Sequence, residues 1–275
     1  MSECNSKFLI KNGEVVQGEE FSDEEIKIGR SIYEVIRVID GVPLFLEQHL
    51  DRFHNSASLI GENMLLSDEE IKVNMRKLIE EEKRFNGNIK LVFNYRENKR
   101  DYYIYFLKHT YPIAKMYAEG VDTMLYHGER ANPNAKVIDA DFRKKVDAAI
   151  KECKVFEAIL VDRDGYITEG SKSNIFMVHS GRIITSPVEA VLPGITRNII
   201  IELIENAGIP FSEERYHFEK IGDLEGLFIS GTSPKVLPIK RVDNYNFDSA
   251  DHELIKKVKE LFDEKITNYI SENKF

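Results

Sequence analysis

Three short polar stretches at the ends of apolar segments could together bind an anionic group. "EG" at residues 169–170 follows "GYIT", "SGTS" at residues 230–233 follows "GLFI", and "GIT" at residues 194–196 precedes an apolar helical pattern. Small residues leave backbone N–H groups accessible and hydroxyls add donors, so such stretches can surround one phosphate. Three plain turns are the alternative, because small polar residues are the ordinary composition of loops.

The stretch "VLPGITRNII" at residues 191–200 predicts a helix that begins close to Gly194. The first turn of a helix has unbonded N–H groups and a partial positive charge. Ile195 and Thr196 are therefore candidates to bind a phosphate through their N–H groups, and Thr196 also through its hydroxyl. Arg197 need not touch the anion. An ordinary helix start after a turn is the simpler interpretation.

The composition is that of a chain that can bury a substantial core. Its 275 residues suit one large domain or two smaller ones, with 42% hydrophobic and 31% charged residues. A formal net charge of -9 argues against a general binder of nucleic acid or acidic membranes. Cys4 and Cys153 form no CxxC pair, which fits a reducing cytoplasm. Without a signal-peptide core or an apolar run of about 20 residues, a cytoplasmic protein with no membrane partner is expected.

The motifs of several common enzyme classes are missing from the sequence. It contains no P-loop, no GxGxxG and no GxSxG stretch. Its seven histidines show no metal-ligand spacing, so no metal is expected. His49 and His54 are five residues apart on a predicted helix, a poor spacing for two ligands on one face. We interpret both as structural or surface residues.

Apolar periodicity predicts an α+β fold with two domains. Up to about residue 115 the pattern is strands, two helices and two further strands, with hairpin turns at Asn12-Gly13 and Asp40-Gly41. Pro112 argues against a central strand in the connection that follows, so we place a boundary there, between domains 1–115 and 116–275. The second domain should contain a loop at Asn132-Pro133, a helix, a run of strands, the helix near Ile195 and a final amphipathic helix.

Four motifs, in order along nearly the whole chain, resemble those of the fold-type IV pyridoxal-phosphate enzymes, the class IV aminotransferases. "SIYEVIRVIDGVPLFLEQHLDRFHNSA" is similar to that family's aromatic-Glu strand, turn and H-L-x-R helix, and "EAILVDRDGYITEGSKSNIF" to its strand pair ending in E-G-x-x-S-N. "LPGITR" and "FISGTS" are similar to its two later phosphate-side motifs. The resemblance implies a small α/β N-terminal domain and a larger C-terminal domain that binds the cofactor, with a β pseudo-barrel flanked by helices.

The resemblance also implies a set of cofactor-binding residues. Lys136 corresponds to the lysine that forms a Schiff base with pyridoxal 5′-phosphate and then moves a proton between the substrate Cα and the cofactor. Glu169 corresponds to the carboxylate that faces the pyridine nitrogen, and Arg52 to the guanidinium that binds the phosphate. Taken alone, residue type would place each of these three side chains at the surface. The other implied cofactor-binding residues are Ser173, Ile195, Thr196 and Thr232.

The implied substrate site involves one face of the Tyr-Glu strand. Tyr33, Val35 and Arg37 alternate there, and the resemblance implies that this face lines the pocket together with Thr232 and Ser233; an ordinary strand face is the alternative. The implied activity is amino transfer between an amino acid, with branched-chain amino acids among the candidates, and a 2-oxo acid. A lyase that converts 4-amino-4-deoxychorismate to pyruvate and 4-aminobenzoate is the alternative, and a non-catalytic binding protein is a third. The family also implies a homodimer.

Overall fold

The first sheet is antiparallel, and the strand that carries the Tyr-Glu motif lies second from one edge. The computed structural model describes residues 2–130 and 134–274, which excludes the predicted loop at Asn132-Pro133. The strand order is β2-β1-β6-β5-β3-β4. The strands are β1 (Phe8–Lys11), β2 (Glu14–Gln17), β3 (Arg30–Ile39), β4 (Val42–Pro43), β5 (Gly87–Arg96) and β6 (Lys99–Phe106). The predicted hairpin turns join β1 to β2 and β3 to β4, with positive φ at all four turn residues.

Two helices cover one face of this sheet, α1 (Leu46–Leu59) and α2 (Asp68–Glu82). Every second residue of β3, including Ile32 and Ile36, is buried with the apolar sides of both helices in one core. The predicted capping box of α2 is present: the Ser67 side chain accepts from the Glu70 N–H while the Glu70 carboxylate accepts from the Ser67 N–H. Local sequence rules and core burial therefore agree for this layer.

The opposite face of the sheet is covered by the segment between β2 and β3. Phe21 and Ile26 from this segment pack against Val92 of β5 and against Tyr103 and Tyr105 of β6. The Phe21 ring contacts Tyr103 edge-on at 5.6 Å and Tyr105 at 4.7 Å, measured between ring centroids. Strand β5 is therefore covered on both faces, which explains why residues 87–95 are all buried.

The second sheet has ten strands and mixes parallel with antiparallel pairs. Its order is β12-β11-β10-β14-β15-β7-β8-β9-β13, with β16 paired to β15. The pairs β7 with β8, β7 with β15 and β11 with β12 are parallel. The strands are β7 (Val121–His127), β8 (Glu157–Val161), β9 (Tyr166–Gly170), β10 (Asn174–His179), β11 (Arg182–Thr185), β12 (Phe211–Glu213), β13 (Tyr216–His217), β14 (Gly226–Gly231), β15 (Lys235–Val242) and β16 (Tyr245–Asn246).

The remaining helices accompany this second sheet along the chain. They are α3 (Ala114–Glu119), α4 (Ala140–Cys153), α5 (Ile195–Asn206) and α6 (Glu253–Glu272). Helix α5 begins directly after Gly194, as the sequence predicts. In the described part of the chain, no helix is both long enough and apolar enough to span a membrane.

Contacts divide the chain into two units that do not follow the sequence order strictly. The first unit comprises Met1–Thr110, Ala135–Ile138 and Ile266–Phe275, and the second comprises Tyr111–Asn134 and Asp139–Lys265. The short segment Ala135–Ile138, which contains the candidate Lys136, therefore belongs with the first sheet although it follows β7 in sequence. The sequence-based boundary at residue 115 stays a prediction.

Candidate active site

A buried carboxylate on β3 is bonded to two side chains of α1. Glu34 is 0% exposed and lies on the core-facing side of its strand, between Ile32 and Ile36. It accepts hydrogen bonds from Arg52 Nε at 2.8 Å and Arg52 Nη2 at 2.6 Å, and its Oε2 lies 2.6 Å from His49 Nδ1. His49 and Arg52 are three residues apart on the helix, so one helical face presents both to the strand.

The electrostatics of this Glu34–His49–Arg52 cluster determine the charge of each member. Burial alone would raise the pKa of Glu34, but the Arg52 guanidinium and the His49 bond outweigh it and lower this pKa to about 2. Burial lowers the pKa of His49, against the effect of Glu34. At neutral pH, Glu34 is therefore ionised and His49 neutral, and His49 donates through Nδ1–H. As a result the charge of Arg52 is held in a fixed orientation.

Lys136 is attached to the same strand by backbone hydrogen bonds. The Tyr33 N–H donates to the Lys136 carbonyl at 3.1 Å, and the Lys136 N–H donates to Ser56 Oγ of α1 at 3.3 Å. The flanking Val137 forms a bridge with Ile32. Lys136 Nζ lies 4.9 Å from the centroid of the Tyr33 ring, within the range of a cation–π contact. The Lys136 charge also acts on the His49 imidazole, which brings the lysine into the same electrostatic group.

The predicted substrate face of β3 alternates with the core face. Tyr33, Val35 and Arg37 are partly buried, whereas their strand neighbours Ile32, Glu34, Ile36 and Val38 are fully buried. The register pairs Tyr33 with Val92, Val35 with Lys90 and Arg37 with Asn88 of β5. In the first unit the structure therefore places Lys136 beside Tyr33, and Tyr33 and Arg37 on one face of β3, whereas Arg52 bonds Glu34 on the core face.

In the second unit, the Glu169 carboxylate lies at the end of β9 and is 4% exposed. Its Oε1 is 3.5 Å from Arg130 Nη1, and its Oε2 accepts from the Leu192 N–H at 3.0 Å. A guanidinium and a backbone donor both stabilise the ionised form of a carboxylate. Glu169 is therefore a buried carboxylate fixed by Arg130 and the Leu192 N–H, and not a solvent-exposed residue after a hairpin.

Glu169 also borders a cavity of about 230 Å³. Arginine side chains and carboxylates make up much of its wall, so it suits a polar or charged ligand better than an apolar one. The lining residues are Glu129, Arg130, Asp162, Arg163, Thr168, Glu169 and Ala190.

Asn174 connects the three polar stretches at residues 169–170, 194–196 and 230–233. Its Nδ2 donates to the Leu192 carbonyl at 2.9 Å, and the N–H of the same Leu192 bonds Glu169. In the register of β10 and β14, Asn174 is opposite Ser230, which begins "SGTS". A Cβ placed on Gly194 would lie 2.0 Å from Asn174 Oδ1, so any other residue before α5 would have to displace the Asn174 side chain. In the second unit, Asn174 is therefore linked to all three stretches: to Gly194 by close approach, to Ser230 by strand register and to Glu169 through Leu192.

The remaining predicted residues lie in the turns and helix end around Asn174. Ser173 lies in the turn that follows β9, and its Oγ donates to Oε2 of Glu157 in β8 at 3.3 Å. Thr232 and Ser233 form the turn between β14 and β15. Ile195 and Thr196 are buried in the first turn of α5, each about 6% exposed.

Arg197, the next residue of α5, is 2% exposed and is used inside the second unit. Its Nη2 lies 2.8 Å from Glu213 Oε2 and donates to the Ser186 carbonyl at 3.0 Å. These contacts connect the first turn of the helix to β12 and to the residue that follows β11.

Sequence reasoning missed three polar residues that organise these groups: Glu34, Arg130 and Asn174. Glu34 carried a usable signal, because a charged residue stood at a core-facing position of an alternating strand. Asn174 was quoted inside a motif but was given no role. Arg130 had no local signal, since a basic residue at the start of a polar loop is ordinary. The interpretation of His49 as structural agrees with its bond to Glu34.

Comparison with solved structures identifies the class of fold. A crystal structure of the Escherichia coli branched-chain amino acid aminotransferase superposes with a TM-score of 0.86 at 25% identity, covering 96% of this chain and 96% of that chain. A T.th. branched-chain amino acid aminotransferase, solved with pyridoxamine 5′-phosphate, gives a TM-score of 0.84 at 20% identity, covering 97% and 96%. The predicted fold-type IV architecture, with a curled half-barrel sheet and flanking helices, is confirmed.

The chain belongs to the amino-transferase class IV family, whose model matches residues 31–242. The D-alanine aminotransferase of Bacillus licheniformis is similar to it, with 27% identity over 256 residues that cover 88% of this chain and 90% of the relative. Class IV aminotransferases use pyridoxal phosphate. The predictions of a pyridoxal-phosphate enzyme of the transaminase type, acting between an amino acid and a 2-oxo acid, are therefore confirmed.

Proposed function

We propose that Lys136 is the reactive lysine of this aminotransferase. The observation that carries the proposal is the fixed position of its amine: Ser56 and Tyr33 hold its backbone on both sides, and Nζ lies 4.9 Å from the Tyr33 ring centroid. A lysine that serves as a base must be positioned and must lose its proton near neutral pH. Lys136 takes the proton from the substrate Cα during amino transfer.

Arg52 in the first unit, and separately the residues around the start of α5 in the second unit, are the groups that suit the phosphate of the cofactor. Glu34 orients the Arg52 guanidinium, which keeps its positive charge for an anion. Ile195 and Thr196 supply N–H groups of the first helical turn, and the Thr196 and Thr232 hydroxyls add donors. The close approach of Gly194 to Asn174 supports this fit, because it fixes the helix end with no side chain in front of it.

The ring of the cofactor is recognised by Glu169. Pyridoxal phosphate, when bound, supplies an electron sink for the charge that develops at the substrate Cα. Glu169 would hold the ring nitrogen of the cofactor and keep it protonated, and Arg130 together with the Leu192 N–H fixes the position of the Glu169 carboxylate. Ser173 supports the turn that carries Glu169 through its bond to Glu157.

The substrate is a branched-chain amino acid bound against the Tyr33 face of β3. Tyr33 and Val35 offer an apolar surface for an aliphatic side chain. In the first unit Arg37 suits a substrate carboxylate, and in the second unit the hydroxyls of Thr232 and Ser233 suit the same kind of group.

The protein acts as a homodimer in the cytoplasm, without a membrane partner. Ile28 and Ile113 are 58% and 59% exposed and are candidates for contacts with a second copy. Both cysteines, Cys4 and Cys153, are free thiols, which suits a reducing compartment. Sedimentation analysis should give about twice the chain mass of 31.8 kDa.

The test of the lysine assignment combines absorbance with borohydride fixation. Purified protein incubated with pyridoxal phosphate should develop a visible absorption band, and borohydride should then fix the cofactor to the peptide that contains Lys136. Lys136→Ala should lose both signals, whereas Lys145→Ala, an exposed lysine of α4, should keep them. Fixation that persists in Lys136→Ala would overturn the assignment.

The reaction itself is tested with a panel of amino donors and acceptors. L- and D-amino acids are supplied with 2-oxoglutarate or pyruvate, and 4-amino-4-deoxychorismate is supplied separately. Branched-chain amino acids should give the highest kcat/KM. Release of 4-aminobenzoate without any amino transfer would overturn the proposed function in favour of the lyase.

A further inference from the structure

A second lysine contacts the ring of Tyr33. Lys90 projects from β5 beside Val35, and its side chain is only 7% exposed. Lys90 Nζ lies 4.7 Å from the Tyr33 ring centroid, and Lys136 Nζ lies 4.9 Å from the same centroid. One aromatic ring therefore lies close to both lysine side chains, so a molecule bound at this ring lies close to the charge of Lys90.

The charge of Lys90 is balanced by Glu3, which comes from the segment before β1. Glu3 Oε1 lies 2.5 Å from Lys90 Nζ and also accepts a hydrogen bond from the Tyr105 hydroxyl. Burial, and next the Glu3 charge, raise the pKa of Tyr105 well above its usual value, so Tyr105 stays a donor at neutral pH. The Tyr105 hydroxyl and the Lys90 ammonium both donate to Glu3, so the Glu3 carboxylate is held beside Lys90.

The backbone around Glu3 is also fixed. The Glu3 N–H donates to the carboxylate of Asp23 at 3.1 Å, and the Glu3 carbonyl accepts from the Lys108 N–H at 2.7 Å. The next residue, Cys4, forms a β-bridge with Leu107. These bonds anchor the segment independently of Lys90, so the fold itself positions the Glu3 carboxylate next to Lys90.

We propose that Glu3 is a specificity-determining residue: by neutralising Lys90 it makes the substrate face at Tyr33 accept neutral side chains and disfavour acidic ones. The inference rests on the proposed function, in which Lys136 reacts and the Tyr33 face binds substrate. A buried ammonium needs an anionic partner. While Glu3 fills that role, the distal carboxylate of a dicarboxylic substrate would meet a second negative charge beside the lysine. Without Glu3, the same carboxylate would become the partner of Lys90.

The experiment uses the cofactor-loaded enzyme and two unreactive ligands of similar length, glutarate and 4-methylvalerate. Their dissociation constants are measured by calorimetry for the wild type and Glu3→Gln. Glu3→Gln should bind glutarate about tenfold more tightly, since one charged partner is exchanged for another, and 4-methylvalerate within about twofold of the wild type. The ratio of kcat/KM for glutamate to that for leucine should rise in parallel. Glu19→Gln, an exposed glutamate after β2, is the matched control and should change neither ligand.

Lys90 is tested separately, because the gain must act through it. Adding Lys90→Met to Glu3→Gln should abolish the tighter binding of glutarate. If Glu3→Gln does not fold, Glu3→Asp, whose shorter side chain draws the carboxylate away from Lys90, should show the same direction of change. Equal weakening of both ligands would identify Glu3 as merely structural and would overturn the inference, as would an unchanged ratio.

Failure of this inference is distinguishable from failure of the proposed function. The inference alone is overturned if the wild type transaminates and Lys136→Ala loses the borohydride-fixed cofactor, but Glu3→Gln binds the two ligands as the wild type does. A wild type whose cofactor is fixed at another lysine overturns the proposed function, and with it the premise on which the role of Glu3 rests.

Discussion

Replacing Glu34 by glutamine should strongly destabilise the first unit. The Glu34 carboxylate is fully buried and makes contacts of 2.6 to 2.8 Å with Arg52 and His49. These contacts lower its pKa from 4.5 to about 2. At about 1.4 kcal/mol per pKa unit, this difference corresponds to about 3 kcal/mol of stability at neutral pH. Glutamine keeps the size of the side chain but leaves the buried Arg52 charge without its anion, so we expect a loss of about that amount.

The pH dependence of this loss distinguishes charge from packing. The folded-state pKa of Glu34 lies below its unfolded-state value, so its contribution is fully present above pH 4.5 and is lost as the pH falls towards about 2. The difference in unfolding free energy between wild type and Glu34→Gln should therefore be constant from pH 7 to pH 5 and shrink below pH 4.5. The chain has no tryptophan, so urea unfolding is followed by circular dichroism at each pH.

A control variant and one outcome would expose an error in this reasoning. Glu24→Gln removes an exposed glutamate that pairs with Lys27 on the surface, and it should leave the unfolding midpoint unchanged. A loss in Glu34→Gln that is as large at pH 3 as at pH 7 would show that the shape of the side chain, not its charge, stabilises the unit. A loss below about 1 kcal/mol at pH 7 would refute the role of the ion pair altogether.

Three further substitutions test the start of α5 and the cap of α2. Thr196→Val should weaken retention of pyridoxal phosphate about tenfold in equilibrium dialysis, because one hydroxyl donor is lost, while the thermal midpoint stays unchanged. Gly194→Ala should destabilise the protein by about 1–3 kcal/mol, since its Cβ would lie 2.0 Å from Asn174 Oδ1, and Asn174→Ala in the same chain should recover part of the loss in urea unfolding. Ser67→Ala should lower the free energy of unfolding by about 1 kcal/mol in the same measurement, because the Glu70 N–H loses the Ser67 Oγ as its acceptor. An unchanged free energy of unfolding would show that the cap does not stabilise the helix.

Local sequence rules predicted the elements of the fold because the forces involved act over a few residues. The turn at Asn12-Gly13 follows from the positive φ that Asn and Gly tolerate, and the start of α2 from the reciprocal bonds of Ser67 and Glu70. The polar strand ends were also visible as a group. Their gathering around Asn174 depends on the register of β10 with β14, which a single sequence does not contain.

Sequence reasoning could identify a buried charge in the candidate site, but it could not identify every partner of such a charge. Glu34 occupies a core-facing position of β3, and period-two alternation alone indicates that such a carboxylate needs a buried partner. Its partners could have been found, because His49 and Arg52 are spaced to share one face of the helix that follows. Lys90 differs, because both faces of β5 are buried and alternation marks no position as exceptional.

The partner of Lys90 could not have been found from spacing at all. Glu3 lies 87 residues earlier in the chain and reaches the lysine only because its segment is hydrogen-bonded to Asp23 and Lys108. No periodic pattern links two such positions, and an exposed glutamate would have been the default interpretation. The charge balance beside the Tyr33 ring is therefore set by tertiary contacts. The proposed role of Glu3 in substrate choice depends on such a remote contact, and the paired measurements on Glu3→Gln and Lys90→Met test it directly.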